Sequence, residues 1–240
     1  MVRIVAVADT HDAHDKIVVP DGDILIHAGD ITMMGGKKKI KAFLDWVAKL
    51  PHPHKIIIAG NHDLDMDPST AMYADLKMKE LMDSYTKEHN IHYLCDSGVT
   101  IRSGLLGSGH SSIKIWGSPY TPAYHNVDDW VFQYERGDAT RSWSEIPDDT
   151  DILITHGPPQ GILDTIEHDN RTKDENGGCS ALRARVDQVK PKIHIFGHLH
   201  DDGGKTFQSK DGDTLFVNAA VGYDDEWYPG EIPEAVCINY

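Results

Sequence analysis

Five strand-sized apolar runs in this chain each stop at a polar cluster built from Asp, His or Asn. VRIVAVA (2–8) stops at Asp9-Thr10-His11, and DILIHA (23–28) stops at Gly29-Asp30. KIIIA (55–59) stops at Gly60-Asn61-His62-Asp63. DILIT (151–155) stops at His156-Gly157, and KIHIF (192–196) stops at Gly197-His198-Leu199-His200. Short runs rich in Ile and Val read as buried strands. Helical spacing lies between them: Lys37 to Leu50 carries Ile40, Phe43, Leu44 and Val47 and is ended by Pro51. A second helix is expected from Pro68 to about Glu88, and a third over Ser180–Val189 before Pro191. Weaker β signals fall at 91–94, 99–102 and 113–116, a polar loop at 164–178, and two late β runs at 214–217 and 235–238 suggest a hairpin-rich end. The alternation predicts an α/β fold with mixed sheets and helices outside. In such folds the ligand site lies beyond the carboxyl ends of the strands, where all five clusters fall.

Composition narrows the function. The 240 residues show no repeat and no linker, so one domain spanning 1–240 is expected. The apolar runs are far shorter than the roughly 18–20 residues of a membrane helix, and no export signal is evident before Asp9. Three scattered cysteines make no disulfide framework, so a reducing cytoplasm is the simplest home. A net charge of −15 disfavours long nucleic acids and anionic membranes, which both need Lys and Arg. A small anion remains possible where the chain holds local positive charge by other means. Fifteen histidines, the commonest metal-binding side chain, offer such a means. No heptad or interface stripe marks an oligomer.

The ordered set D-x-H, G-D, G-N-H-D, H and G-H-x-H resembles the calcineurin-like metallophosphoesterase superfamily, and every motif is intact between Asp9 and His200. A narrower resemblance, to the metallophosphoesterase-domain-containing (class III cyclic nucleotide phosphodiesterase-like) branch, rests on GDILIHAGDIT, LPHPHKIIIAGNHD, WGSPYTPAYHN, IPDDTDILITHGPPQGILD and HIFGHLH. The resemblance implies a four-layer sandwich of two mixed β-sheets flanked by helices. It implies two divalent metal ions: Asp9, His11 and His200 on one, Asn61, His156 and His198 on the other, and Asp30 bridging both. Manganese is the first expectation for the metal, with iron, zinc or cobalt as alternatives. The implied activity is hydrolysis of small phosphodiesters such as 2′,3′- or 3′,5′-cyclic nucleotides.

The residue types suit that chemistry. Mixed nitrogen and oxygen donors favour first-row transition metals over calcium. Two divalent ions against two carboxylates and one hydroxide leave a net positive centre, because Asn61 and the histidines are neutral. Such a centre lets an acidic protein hold a phosphate, and it activates water for in-line attack on phosphorus by a metal-bridging hydroxide. His62 is the candidate general acid for the leaving oxygen, and Asp63 is the candidate for orienting it. Asn61, His62, Ser118 and Asn126 are candidate substrate contacts, and an aromatic nearby, Trp116 or Trp130, can stack on a base. The run Lys37–Lys39 with Lys41 reads as a solvated face with a lesser chance of steering a phosphate. GDITMMGG lacks the Asp-Arg-Gly of protein Ser/Thr phosphatases, which argues against protein dephosphorylation. Asp201 and Asp202 stand where relatives often have Gly and an aromatic. The alternatives are a phosphomonoesterase, a single-strand nuclease of the same fold, or a non-catalytic metal-binding scaffold.

Overall fold

A computed structural model describes residues 1–102, 112–123, 130–136, 143–166, 177–222 and 234–240. The first sheet has the order β13-β1-β2-β3-β4, built from Arg3–Val7 (β1), Ile24–Ala28 (β2), His54–Ile58 (β3), Ile91–Tyr93 (β4) and Val236–Asn239 (β13). β1 to β4 run parallel, and β13 lies antiparallel beside β1. The second sheet is ordered β11-β12-β10-β9-β6-β5. It comprises Ser97–Arg102 (β5), Ser112–Ser118 (β6), Ile152–Thr155 (β9), Ile193–Phe196 (β10), Thr206–Gln208 (β11) and Leu215–Asn218 (β12). Its four central strands are parallel, with antiparallel edges at β5 and β11. A short parallel pair joins Thr121–Pro122 (β7) to Gln133–Tyr134 (β8).

The period-2 side-chain alternation of strands explains the layers. Ile4, Ala6, Ile24, Ile26, Ile56 and Ile58 of the first sheet meet Ile115, Ile152, Ile154 and Ile195 of the second in one buried core. The intervening Val5, Val7, Leu25 and Ile57 face outward and are covered by Ile40, Phe43, Leu44 and Val47 of Lys37–Lys49 (α1) and by Met78 and Met82. On the far side, Leu153, Phe196 and Phe216 pack against Leu182 and Val186 of Ser180–Val189 (α4). Because their strands are buried on both faces, the sequence reads as continuous apolar runs. Helix, sheet, sheet and helix form the expected four layers.

Two elements differ from the sequence expectation. The single helix from Pro68 to about Glu88 is two helices, Ala71–Asp75 (α2) and Met78–His89 (α3), parted by Lys77 in the left-handed region at φ 52°. Thr70 caps α2 by accepting from the Tyr73 amide, and the Leu76 carbonyl at the break accepts from Lys37 Nζ. The chain end is also less hairpin-like than expected. β11 and β12 do form a hairpin, but β13 leaves it and closes the edge of the first sheet. No helix among the described residues is long and apolar enough to cross a membrane.

Candidate metal centre

The five clusters converge where the two sheets meet, beyond the strand ends. Asp9 and His11 follow β1, Asp30 follows β2, Asn61 and His62 follow β3, His156 follows β9, and His198 and His200 follow β10. Two donor groups result: Asp9, His11 and His200, and Asp30, His156 and His198, each with ligand atoms within 4.8 Å of one another. His11 and His62 also gather around Asp30 on the same criterion.

Asp30 occupies the middle. Its Oδ1 accepts from the His62 amide at 2.9 Å. Its Oδ2 faces His156 Nε2 at 3.3 Å, His11 Nε2 at 3.8 Å and His62 Nε2 at 4.0 Å. Asp9 accepts from the His198 amide with both oxygens and lies 3.5 Å from His200 Nε2. Asn61 Oδ1 lies 3.0 Å from His156 Nε2, which puts Asn61 beside the second group. His156 Nδ1 donates to the Ala28 carbonyl at 3.0 Å, and that bond aims Nε2 at Asp30 and Asn61.

The turns that deliver these residues are locally unfavourable. Asp9 (φ 58°), His11 (φ 42°), Asp30 (φ 53°) and His198 (φ 69°) are all non-glycine residues in the left-handed region. Such conformations persist where the surroundings over-determine them, and they concentrate at functional sites. Gly60 and Gly197 complete the packing. A methyl group on Gly60 would run into Asp30 Oδ1 and the His156 ring, and one on Gly197 would run into Asp9 Oδ2.

The electrostatics suit a cation. Burial opposes ionisation of Asp9 and Asp30, yet the facing histidines outweigh it and hold both carboxyls below their usual range. Burial keeps His11 lowered and brings His198 down to about 3, leaving these imidazoles neutral with free lone pairs. His11 Nδ1 is buried without a hydrogen-bond partner. Burial also opposes the charge on His156, but Asp30, Asp9 and the Ala28 carbonyl outweigh it and push the imidazole up to about 9. Two buried carboxylates with the neutral His11 and His198 beside them fit a pair of divalent ions, and His156 and His200, raised by Asp30 and Asp9, would give up a proton to a metal, since metal ligands must be deprotonated.

Asp63 serves a different contact from the one expected. Its carboxylate, pushed up to about 6 by burial and by Asp30, accepts from the amides of Ile31, Thr32 and Gly60 and from the Thr32 hydroxyl. It shares no hydrogen bond with the His62 ring, whose Nδ1 donates to the Met33 carbonyl at 2.8 Å. Asp63 therefore ties the turn after β2 to the turn after β3. Ser118 is fully buried, and its hydroxyl donates to Asp96 at 2.7 Å, so burial removes it from direct substrate contact. Asn126 lies outside the described residues. Asp202 is also buried. It accepts from the Thr165 amide and Lys205 Nζ and so braces a loop. In the basic run, Lys39 pairs with Asp12 and Lys41 with Asp45.

The sequence does not mark His27 as a support, and it offers Trp130 only as an aromatic able to stack on a base. His27 is fully buried; its Nδ1 accepts from the Gly29 amide, so its Nε2–H is directed at Thr10 Oγ1, 3.1 Å away. Trp130 packs against His62 in a tilted stack, with ring centroids 4.0 Å apart and planes at 33°. No spacing in the sequence signals either contact.

Fold and site together define a class, the metal-dependent phosphoesterases. The chain belongs to the calcineurin-like phosphoesterase family, whose sequence pattern matches residues 2–202. It is 38% identical over 236 residues to metallophosphoesterase domain-containing protein 1 of Homo sapiens, covering 91% of this chain and 66% of that one. The chain thus spans just under two thirds of that relative's length. It is 36% identical over 231 residues to a UPF0046 protein of Caenorhabditis elegans, covering 92% of this chain and 75% of the relative. Among solved structures, the phosphopantetheinyl hydrolase PptH of Mycobacterium tuberculosis superposes with a TM-score of 0.58 at 17% identity, over 97% of this chain and 95% of that one. That likeness shows the shared fold.

Proposed function

We propose that this chain hydrolyses small phosphodiesters, with 2′,3′- or 3′,5′-cyclic nucleotides as the candidate substrates. The observation that carries the reading is the pairing of two donor groups across Asp30, with His62 Nε2 facing the same carboxylate. In this reading Asp9, His11 and His200 hold one divalent ion, Asn61, His156 and His198 hold the other, and Asp30 serves both. When bound, such ions polarise phosphoryl oxygens and lower the pKa of water.

The chain's own residues do the rest. The side chains and amides that pair with Asp9 and Asp30 are histidines and backbone N–H groups, with no Lys or Arg among the described residues. With two divalent ions held by two carboxylates and otherwise neutral donors, the net charge of the centre would be small and positive, which suits a diester monoanion better than a monoester dianion. His62 Nδ1–H is held by the Met33 carbonyl, which leaves Nε2 to carry a proton toward a leaving oxygen. In the reaction a water oxygen bonds to phosphorus and the P–O bond to the leaving group breaks. The leaving oxygen takes its proton from Nε2 of the doubly protonated His62 ring, the attacking water gives a proton to solvent, and the ring, left with its Nδ1–H, takes a proton back from solvent. One diester and one water give one monoester and one alcohol; from a cyclic nucleotide the two are groups of a single ring-opened nucleoside monophosphate.

The test is hydrolysis of 2′,3′- and 3′,5′-cyclic AMP by the manganese-loaded protein, with product isomers resolved and activity on bis-p-nitrophenyl and p-nitrophenyl phosphate compared. Turnover of a cyclic nucleotide with preference for the diester supports the reading. Preference for the monoester, or no turnover with two ions bound, overturns it.

A further inference from the structure

We propose that Trp130 is a positioning residue for His62, fixing the imidazole so that Nε2 faces the centre while Nδ1 stays on the Met33 carbonyl. The inference rests on the proton-donor role proposed for His62. Three contacts restrain that ring. Its Nδ1 donates to the Met33 carbonyl at 2.8 Å. One face lies on Trp130 at 4.0 Å between centroids. Its neighbour His11 meets it at 4.8 Å and 74°. A carbonyl can only accept, so the Met33 contact selects the tautomer with the proton on Nδ1. A turn of the ring about Cβ–Cγ would put Cδ2 in the place of Nδ1 and Cε1 in the place of Nε2, and so leave that carbonyl without its donor. The Trp130 face opposes the turn by filling the space it needs.

The anchoring of Trp130 fits this role. The tryptophan precedes Phe132, which is buried, takes a left-handed φ of 56° and meets Tyr120 at 5.4 Å in a T-shaped contact. The Phe132 carbonyl accepts from the Thr121 amide at 3.0 Å, and β8 then pairs with β7. Trp130 is therefore carried by a segment tied beyond the end of β6, in the second sheet, whereas His62 follows β3 in the first. An indole at the edge of the β7–β8 segment holds a histidine of the turn after β3 in a set orientation.

The experiment compares diphenyl phosphate, whose phenoxide needs a proton as it leaves, with bis-p-nitrophenyl phosphate, whose nitrophenolate does not. With His62→Ala, activity on diphenyl phosphate should fall about 100-fold or more, and far less on the nitrophenyl diester. Trp130→Ala should cost about tenfold on diphenyl phosphate and little on the other, because a misplaced group loses part of its effect. Trp130→Phe should restore most of that loss, and the double variant should be no slower than His62→Ala alone. A second readout is the long-range ¹H–¹⁵N spectrum of His62 in the metal-free protein. Wild type should show the Nδ1-protonated ring, and Trp130→Ala a mixture with the Nε2-protonated one. Equal losses on both substrates with the tautomer unchanged would overturn the proposal and make Trp130 a substrate contact. Should His62→Ala slow both substrates equally, the proton-donor reading falls, and the spectrum still decides whether Trp130 fixes the ring.

Discussion

Asp30 Oδ2 lies 3.3 Å from His156 Nε2, and the two residues come from different sheets. Asp30 is delivered by β2 and His156 by β9, so neither sheet alone carries a complete centre. Binding a cation there ties the halves of the sandwich together. A ligand that binds only the folded state stabilises by about 2.7 kcal/mol at 100 times its Kd. Adding manganese to chelator-stripped protein should therefore raise its melting temperature. Asp30→Asn should lose most of that rise and reduce hydrolysis by about 100-fold or more, the scale of removing a group that acts on the reacting charge. Calorimetric scans with and without manganese check this.

Gly60 leaves no room for a side chain between Asp30 and His156. Gly60→Ala should push these two apart. Overpacking of this kind costs about 1–3 kcal/mol, and manganese affinity should fall further than stability does. Titration calorimetry against Gly60→Ala, with the unfolding midpoint measured beside it, separates the two effects.

Asp63 holds three backbone amides and a hydroxyl in a buried site. Asp63→Ala leaves these donors without an acceptor, at a cost of about 1–3 kcal/mol for each group that water cannot reach. A loss of at least about 2 kcal/mol in denaturant unfolding is expected on that basis. Asp63→Asn should recover part of the loss, since one amide oxygen still accepts. Equal stability of Asp63→Ala and wild type would contradict this role.

His194 and His27 set an acid limit on the fold. Both are fully buried, and burial lowers each imidazole to about 3. Their unfolded value is about 6.5. Below that pH the unfolded chain takes up protons that the folded chain refuses. Their contribution is thus complete above about 6.5 and is lost as pH falls toward 3, by up to about 1.4 kcal/mol per pH unit for each group. Melting temperatures of the metal-free protein from pH 8 to 4 should fall accordingly. His194→Gln should give a shallower slope, by one proton. A slope unchanged in His194→Gln would contradict the assignment.

Much of the centre was legible because strands and ligands differ so sharply in character. An apolar run such as KIIIA cannot continue through Gly60-Asn61-His62-Asp63, so the strand end and the polar cluster coincide in the sequence. The same contrast marks Asp9, Asp30, His156 and His198. Residue type, however, does not reveal partners. Asp63 and Asp30 are both Asp beside a strand end, yet one faces histidines and the other faces backbone amides. Ser118 sits in a stretch rich in polar and aromatic residues, and only its burial shows that it turns inward. The left-handed Lys77 that splits the second helix carries no glycine to announce it. The crossing of β13 to the first sheet and the seat of Trp130 on His62 are both long-range contacts without a local signal.

The central claim is that two divalent ions share Asp30. Metal content per chain after equilibrium dialysis against manganese, for wild type and Asp30→Asn, tests it most directly. The account predicts two ions per wild-type chain and one or fewer in the variant. A wild-type chain that holds a single ion, or a variant that still holds two, would contradict it.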